Sequence, residues 1–492
     1  MKTNTLDFDA QALRDRILDL AMRGKLVPQD PNDEPACELL KKIEAEKAEL
    51  VKEKKIKKSK PLPEITDDEK PFDIPDSWEW VRCKTVTTIG NFQSLSPKKI
   101  KSGENLIELA DIESYSGKLI NRECVTKKVG SNKYRYSKGN VLFAKLRPYL
   151  RKVLLAPNDG VCTTELLPID GIKTDNNYLY YVFLSSFFFG QIEKEMHGVN
   201  LPRVSPKKLS ALIIPLPPLS EQSRIAAKIA QLFALLRKVE SSTQQYAKLR
   251  TLLKSKVLDL AMRGKLVKQD PNDEPASELL KKIKAEKAEL IKEKKIKKSK
   301  PLPPITDDEK PFDIPDSWEW ARLGDLVSPV EYAMADGPFG SNLKKADYTN
   351  QPEVRIVQLS NIGENGWKDD NVKYTTFDHL KLIRRSEVFP GNIVIAKMMP
   401  AGRAILIPNK DKKYVLSSDA VKFIPTDLLN KQFLLNAINS NVYRYQVNKK
   451  LQGTTRPRTS LKKLKNFVLP IPPIQEQKRI LSKLSMLKQD LI

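Results

Sequence analysis

Basic side chains interleaved with aromatic ones are the groups in this chain best suited to chemistry with a polyanion. KYRYSKG (133–139) alternates Lys133, Arg135 and Lys138 with Tyr134 and Tyr136. Cations of this kind neutralise phosphates, and aromatic rings pack on sugar or base. KLRPYLRK (145–152) adds Lys145, Arg147, Arg151 and Lys152; a related stretch further on, GNIVIAKMMPAGRAILIP (391–408), offers Lys397 and Arg403. Strand alternation can put part of each set on one face. A third pair of segments supplies Arg203, Lys207 and Lys208 around PRVSPKK, and Arg456, Arg458, Lys462 and Lys463 around PRTSLKK. Because that pattern recurs, it cannot by itself distinguish two sequences, and phosphate positioning suits it better than base readout. Base readout belongs where the halves of the chain differ. Arg and Lys pair with guanine, Asn and Gln with adenine. Asn342, Lys344 and Lys345, after the Gly337–Gly340 turn, are the first choice in the second half. Each set has a plainer reading: KYRYSKG as a loop of solvated charges, the PR-x-S segments as turns feeding a helix.

Other chemistry is missing from the sequence. There is no G-x-x-x-x-G-K-[ST] phosphate loop and no NPPY-like or DPPY-like tetrad of an amino-methyltransferase; DGPF (336–339) is a superficial echo. With two histidines, His197 and His379, no His-based metal cluster is expected. Carboxylates are plentiful, but no Asp/Glu/Lys constellation occurs in both halves. The EKKIKKSK runs (53–60, 293–300) read as solvated helix ends or partner surfaces in preference to a nonspecific DNA clamp. Trp78, Trp80, Trp318 and Trp320 read as core or partner anchors.

The chain has 492 residues and a formal charge of +25, from 86 Lys and Arg against 61 Asp and Glu. That excess favours nucleic acid as partner. The amino terminus has no apolar h-region, and no apolar run approaches a membrane span. Four scattered cysteines (Cys37, Cys83, Cys124, Cys162) lack C-x-x-C spacing. A cytoplasmic protein in a reducing compartment, with no structural disulfide or zinc, is expected.

The elements that must position the basic segments are repeated. Residues 17–82 recur as 257–322, differing only at positions 17, 28, 37, 44, 51, 64 and 81. The stretch from Leu209 recurs from Leu464, so the offset grows from 240 to 255. Between these repeats lie two dissimilar inserts, about 83–205 and 323–460. They share a faint skeleton: GNVLFAKLRPYLRKVLLAP (139–157) resembles 391–408, and HGVNLPRVSPKKL (197–209) resembles QGTTRPRTSLKKL (452–464).

Ile225, Ile229, Leu232, Leu236 and Val239 follow the spacing of a coiled-coil seam, and Tyr246, Leu249, Leu253 and Val257 continue the stripe. With Ser220 as N-cap and Gly264 as C-cap, a helix over 220–263 is predicted, about 65 Å long. Second basic helices are predicted over 36–58 and 276–298, each followed by a Pro-rich extended stretch. Residues 474–492 match the start of the central helix and 6–24 its end. The expected architecture is mixed α/β: two globular domains separated by two long antiparallel coiled-coil helices, in a pseudo-twofold circular repeat. The segments are 1–82 (helical), 83–214 (first domain), 215–322 (central helical), 323–469 (second domain) and 470–492 (closing helix).

With its doubled IPDSWEW (74–80, 314–320), its doubled PLPPLSEQSRIAAKI and PIPPIQEQKRILSKL (215–229, 470–484) and its DGPFGSNLKKADY (336–348), the chain resembles the specificity subunits of type I restriction-modification systems over essentially its whole length. The resemblance implies that each variable domain is a target recognition domain for one half of a bipartite double-stranded DNA target. It implies two docked methyltransferase (M) subunits and separate restriction/translocase (R) subunits, with S-adenosylmethionine, ATP and Mg belonging to those partners and none bound by this chain. The chain itself would be non-catalytic. The first domain departs from the pattern, having TIGNFQSLSPKKIKSGENL (88–106) in place of a DGPFGS opening. Two other functions compete: a self-contained site-specific nuclease or methyltransferase, disfavoured by the missing motifs, and a coiled-coil DNA bridge without sequence preference, which leaves the elaborate inserts unexplained.

Overall fold

The computed structural model describes residues 9–58, 62–121, 123–126, 129–196, 201–296, 300–339, 342–453 and 455–490. The chain divides into two compact units, Leu6–Gln244 and Gln245–Ile492.

In the first unit the N-terminal helix, Ala10–Met22, is capped by the Asp9 carboxylate, which accepts from the Ala12 N–H. It ends at Gly24, whose left-handed φ of +66° and close approach to Pro75 leave no room for a side chain. A second helix, Ala36–Lys52, buries Leu39 and Ile43. The lead-in strand Glu79–Arg82 then pairs antiparallel with the lead-out strand Ile213–Leu216, so Arg82 faces Ile213. The variable domain rises between these two strands. It holds a three-stranded sheet, in order Val153–Leu155, Val141–Ala144, Leu166–Ile169, and a five-stranded sheet around Lys133–Tyr136 and Gly160–Thr163. Two helices, Asn176–Leu184 and Ser186–Glu195, follow, with Asp175 and Ser185 as N-caps. One core joins constant and variable parts: Met22, Ile43, Trp78, Phe143, Tyr178, Ile214, Ile225 and Ile229 are all buried in it.

The second unit repeats this plan. Helix Ala276–Lys292 precedes the lead-in strand Glu319–Arg322, which pairs with Val468–Ile471. Its core takes in Met262, Ile283, Trp318, Phe433, Leu469 and Ile480. Among its differences is an added strand. Strand Met334–Asp336 joins the edge of the sheet formed by Ala420–Phe423, Ile393–Ala396 and Ala404–Leu406, making it four-stranded. This strand carries the Asp of DGPFGS, the opening the first domain lacks.

The central helix runs Leu219–Met262 over 44 residues. It starts one residue before the expected cap, because the Pro218 carbonyl already accepts from the Gln222 N–H at 2.9 Å. Ser220 therefore lies inside the first turn and bonds Asp33 instead of capping. Gly264, at φ +67°, closes the far end, where the Lys265 N–H reaches the Leu260 carbonyl at 2.9 Å. Along the seam Ile225 and Ile229 are buried, while Val239, Tyr246, Leu249 and Leu253 are exposed. The two basic helices are shorter than expected, stopping at Lys52 and Lys292. Lys54 and Lys294 turn left-handed there, and Ile56 and Ile296 fold back to the Leu50 and Leu290 carbonyls. The cationic residues beyond offer no apolar face for a helix to bury. Residues 59–60 and 297–299 of the EKKIKKSK runs lie outside the described residues, as do the matching terminal residues 1–8 and 491–492.

Candidate nucleic-acid interface

Each unit rests on the same polar clamp. In the first, the Trp78 Nε1–H donates to Glu221 Oε2 at 2.9 Å, Gln29 donates to Oε1 at 2.6 Å, and Arg224 pairs with Asp33 at 2.6 Å. In the second, Trp318 donates to Glu476 at 2.9 Å, Gln269 at 2.7 Å, and Arg479 pairs with Asp273 at 2.5 Å. Burial pushes the Glu221 and Glu476 carboxyls above their ordinary value, against the pull of the indole and amide donors. The Arg224 guanidinium holds Asp33 below its ordinary value. The clamp ties the first turn of each lead-out helix to the IPDSWEW segment, so each variable domain stands on a braced base.

Further from the base, the basic segments that are far apart in sequence come together, and they do so alike in both units. Leu146 bridges to Arg203, and Met398 bridges to Arg458. The Lys145 carbonyl accepts from the Val204 N–H at 3.0 Å, and the Lys397 carbonyl from the Thr459 N–H at 2.9 Å. The Lys145 N–H in turn donates to Glu165 at 3.0 Å, and that of Lys397 to Asp419 at 2.8 Å. The loop after the central strand and the PR-x-S segment thus form one surface, built on a shared backbone frame.

Its side chains divide sharply. In the first unit Arg147 and Lys207 are exposed, and Lys145 is half-buried. Arg203 is exposed beside Glu165 at 3.4 Å. Arg151 is turned inward, bonding Asp15 at 3.0 Å and stacking on Phe189, and Lys152 donates to the Leu109 carbonyl at 2.7 Å. Lys208 pairs with Glu195. Of the KYRYSKG set, Lys133 is buried on Glu108 at 3.0 Å and Tyr136 is core, while Tyr134 packs against Phe92. Arg135 reaches Glu104 at 3.1 Å. This segment is a strand at the middle of a sheet, so Lys133 and Tyr136 do not stand at a surface where phosphate could reach them.

In the second unit Arg456, Arg458 and Lys462 are exposed, as are Asn342, Lys344 and Lys345. The Asn342 carbonyl is held by the His379 ring at 2.8 Å. Lys463 donates to the Lys450 carbonyl at 2.8 Å. Lys397 is buried, bonding Asp336 at 2.7 Å and lying over the Phe339 ring. Arg403 is largely covered, 3.8 Å from Glu364. The expectation of surface contact therefore does not hold for Lys397: the extra strand brings a carboxylate to it. Gly337 must be glycine, since a Cβ there would sit 1.8 Å from the Ser417 carbonyl oxygen. Residues 340–341, within the same turn, and His197 lie outside the described residues. Trp78, Trp318 and Trp320 are buried and Trp80 is half-buried; Trp80 and Trp320 pack at a tilt against Phe72 and Phe312. The four cysteines are free. Among the described residues no helix is long and apolar enough to cross a membrane.

Two modules of differing sequence on one doubled helical frame define a two-headed recognition subunit. A model of the type I restriction modification DNA specificity domain matches residues 75–249 and again 315–492. The chain is 35% identical to the EcoAI specificity subunit of Escherichia coli, covering 98% of this chain and 89% of that one. It is 33% identical to the EcoEI specificity subunit of the same species, over 96% and 88%. A chain from a solved type I R-M system shares the fold, with a TM-score of 0.61 at 22% identity over 86% of this chain and 92% of that one. The chain belongs to the specificity-subunit family of type I restriction-modification systems and carries two target recognition domains.

Proposed function

We propose that each variable domain reads a different half of a bipartite double-stranded DNA target, and that the chain directs partner subunits to it without catalysing anything itself. The observation that carries this reading is the shared frame: two near-identical bases present dissimilar surfaces through the same backbone contacts. Identical bases fit one kind of partner bound twice, and dissimilar surfaces fit two different sequences. The exposed cations Arg147, Arg203, Lys207, Arg456, Arg458 and Lys462, with half-buried Lys145, meet phosphates and bases. Asn342, Lys344 and Lys345 extend the second surface. Two M subunits dock on the helical parts. The exposed apolar stripe Val239, Tyr246, Leu249 and Leu253 supports that role, since such stripes mark interaction sites. R subunits join the same assembly, and S-adenosylmethionine, ATP and Mg belong to these partners. The circular pairing of the terminal helical pieces as a second long antiparallel helix completes the proposal.

The test is domain exchange. Replacing 83–212 with the corresponding domain of a relative, and mapping methylated sites with the M subunit present, should change one half of the target only. If both halves change, or neither, the modular reading fails. The purified chain given S-adenosylmethionine, ATP and magnesium should neither methylate nor cut DNA. Turnover that disappears when this chain is mutated would make it an enzyme.

A further inference from the structure

The loop that follows the central strand differs between the units at its tip while its backbone anchors are shared. Between Lys145 and Lys152 the first unit has LRPYLR; between Lys397 and Ala404 the second has MMPAGR. A sequence-reading element should be held alike and differ at its tip. We infer that Arg147 reads a guanine edge in the half-site of the first domain, and that the tip of the second domain reads no guanine.

Three observations support this. Arg147 is exposed, and among the described residues its guanidinium makes no hydrogen bond or ion pair. Its neighbours in the loop are committed elsewhere: Arg151 to Asp15 and Lys152 to the Leu109 carbonyl. The backbone of Arg147 is left-handed, at φ +48°, a conformation few non-glycine residues adopt. It is locked there, its N–H on the Pro202 carbonyl at 2.8 Å and its own carbonyl accepting from Leu150 at 3.0 Å. The turn Pro148–Leu150 then ends at Arg151, also left-handed at φ +45°. Strain persists where surrounding contacts enforce it, and it concentrates at functional positions. The backbone beneath the side chain is fixed, and the planar fork of the guanidinium matches the O6 and N7 acceptors of guanine. At the second tip the exposed residue is Met399, and the cation, Arg403, is folded back near Glu364.

This inference rests on the proposed reading of the domains, and its test separates the two. The measurement is competition binding and methylation mapping on duplexes with single base-pair changes, using the chain assembled with its M subunit. Arg147→Lys keeps the charge but not the fork. It should lose discrimination at one G·C pair of the first half-site, on the order of 10- to 100-fold. Arg147→Gly suits the left-handed backbone, so it should melt no lower than wild type and relax the same pair. The second half-site should be unchanged in both. If Arg147→Lys keeps full discrimination while Arg147→Gly only weakens binding to every sequence and lowers the salt slope, Arg147 holds a phosphate and the inference is overturned. Unchanged recognition in both variants overturns it too. Failure of the domain exchange above would instead sink the underlying reading.

Discussion

Arg82 and Arg322 occupy the same register position in the two lead-in strands, facing Ile213 and Val468. Both grip a carboxylate in the Pro-rich stretch before them, Glu69 and Glu309, and both donate to backbone carbonyls there. Their surroundings differ. The side chain of Arg322 is 2% exposed against 11% for Arg82, and Glu309 is 29% exposed against 37% for Glu69. One of the seven differences between the repeats lies here, Pro304 standing where the first copy has Glu64, and the Pro304 carbonyl accepts from Arg322 at 2.7 Å. A nearly invariant frame therefore holds the same contacts at two depths. The variable domains add a larger contrast: a fourth strand and a buried Lys397–Asp336 pair on one side, and on the other Lys145, whose side chain makes no such pair among the described residues.

Perturbing what the two units share should have the largest effect. The central helix is the element common to both. Two residues inserted near Gln244 would turn its apolar seam to the opposite side and should abolish assembly with the M subunit. Four residues would preserve the seam and add roughly 6 Å, widening the gap in the recognised target by about one or two base pairs. An active four-residue variant with an unchanged gap would show that the helix does not set the spacing.

Next come the paired arginines. Arg322→Ala should cost about 3 kcal/mol, since it strands a carboxylate and buried carbonyls. Arg82→Ala should cost about half as much, its carboxylate being better solvated. Thermal melts, with hydrogen exchange locating the loss in one unit, would measure both. Equal losses would erase the difference in depth. Gly337→Ala should destabilise the second unit by about 1–3 kcal/mol through overpacking on Ser417, and the first unit should not respond. Melting of both units together would break that separation.

The smallest effect is on pH dependence. Hydrogen bonds from Arg82 and Arg322 hold Glu69 and Glu309 below the ordinary 4.5. A lowered carboxyl contributes stability above that ordinary value and loses it as pH falls through the folded value. Glu309→Gln should therefore be less stable at neutral pH and lose less on acidification below about 4.5. Glu221 and Glu476, raised by burial, act with the opposite sign, their contribution fading as pH rises. An acid limb unaltered in Glu309→Gln would mean that other carboxylates dominate it.

Much of the frame was legible because periodicity and repetition are local signals. The β-rich runs NVLFAKL (140–146), KVLLAP (152–157), NIVIAKM (392–398), RAILIP (403–408) and AVKFIP (420–425), punctuated by Gly, Pro and Asn, predict strands by composition, and each contains one; the central helix ends where Gly264 stops it. Which cations face outward was not legible. Lys133 turns in because Glu108, at the end of a strand two places away in the same sheet, meets it, and Lys397 because a strand some 61 residues earlier brings Asp336 beside it. Sheet order decides such pairings, and no spacing in the chain encodes it. Glu165 and Asp419, whose carbonyls anchor the loops after the two central strands, make that contact through backbone and so left no mark in residue type. The DGPFGS motif was visible, but its role in supplying a strand and a buried carboxylate was not.

The ribbon of lead-in and lead-out strands has a consequence for how such a protein changes over generations. Arg82 faces Ile213, and Arg322 faces Val468, so the chain leaves for each variable domain and returns at the same place. Whatever is spliced between those points must bring its two ends together and supply apolar side chains to the shared core, but its length is free. The second copy already carries 15 more residues, from the growth in offset from 240 to 255, without altering the ribbon. Folding of the frame is thus tied to the insert through the apolar residues of the shared core and not through the insert's length. An insert exchanged at those two points therefore meets the same entry and exit, whatever its length.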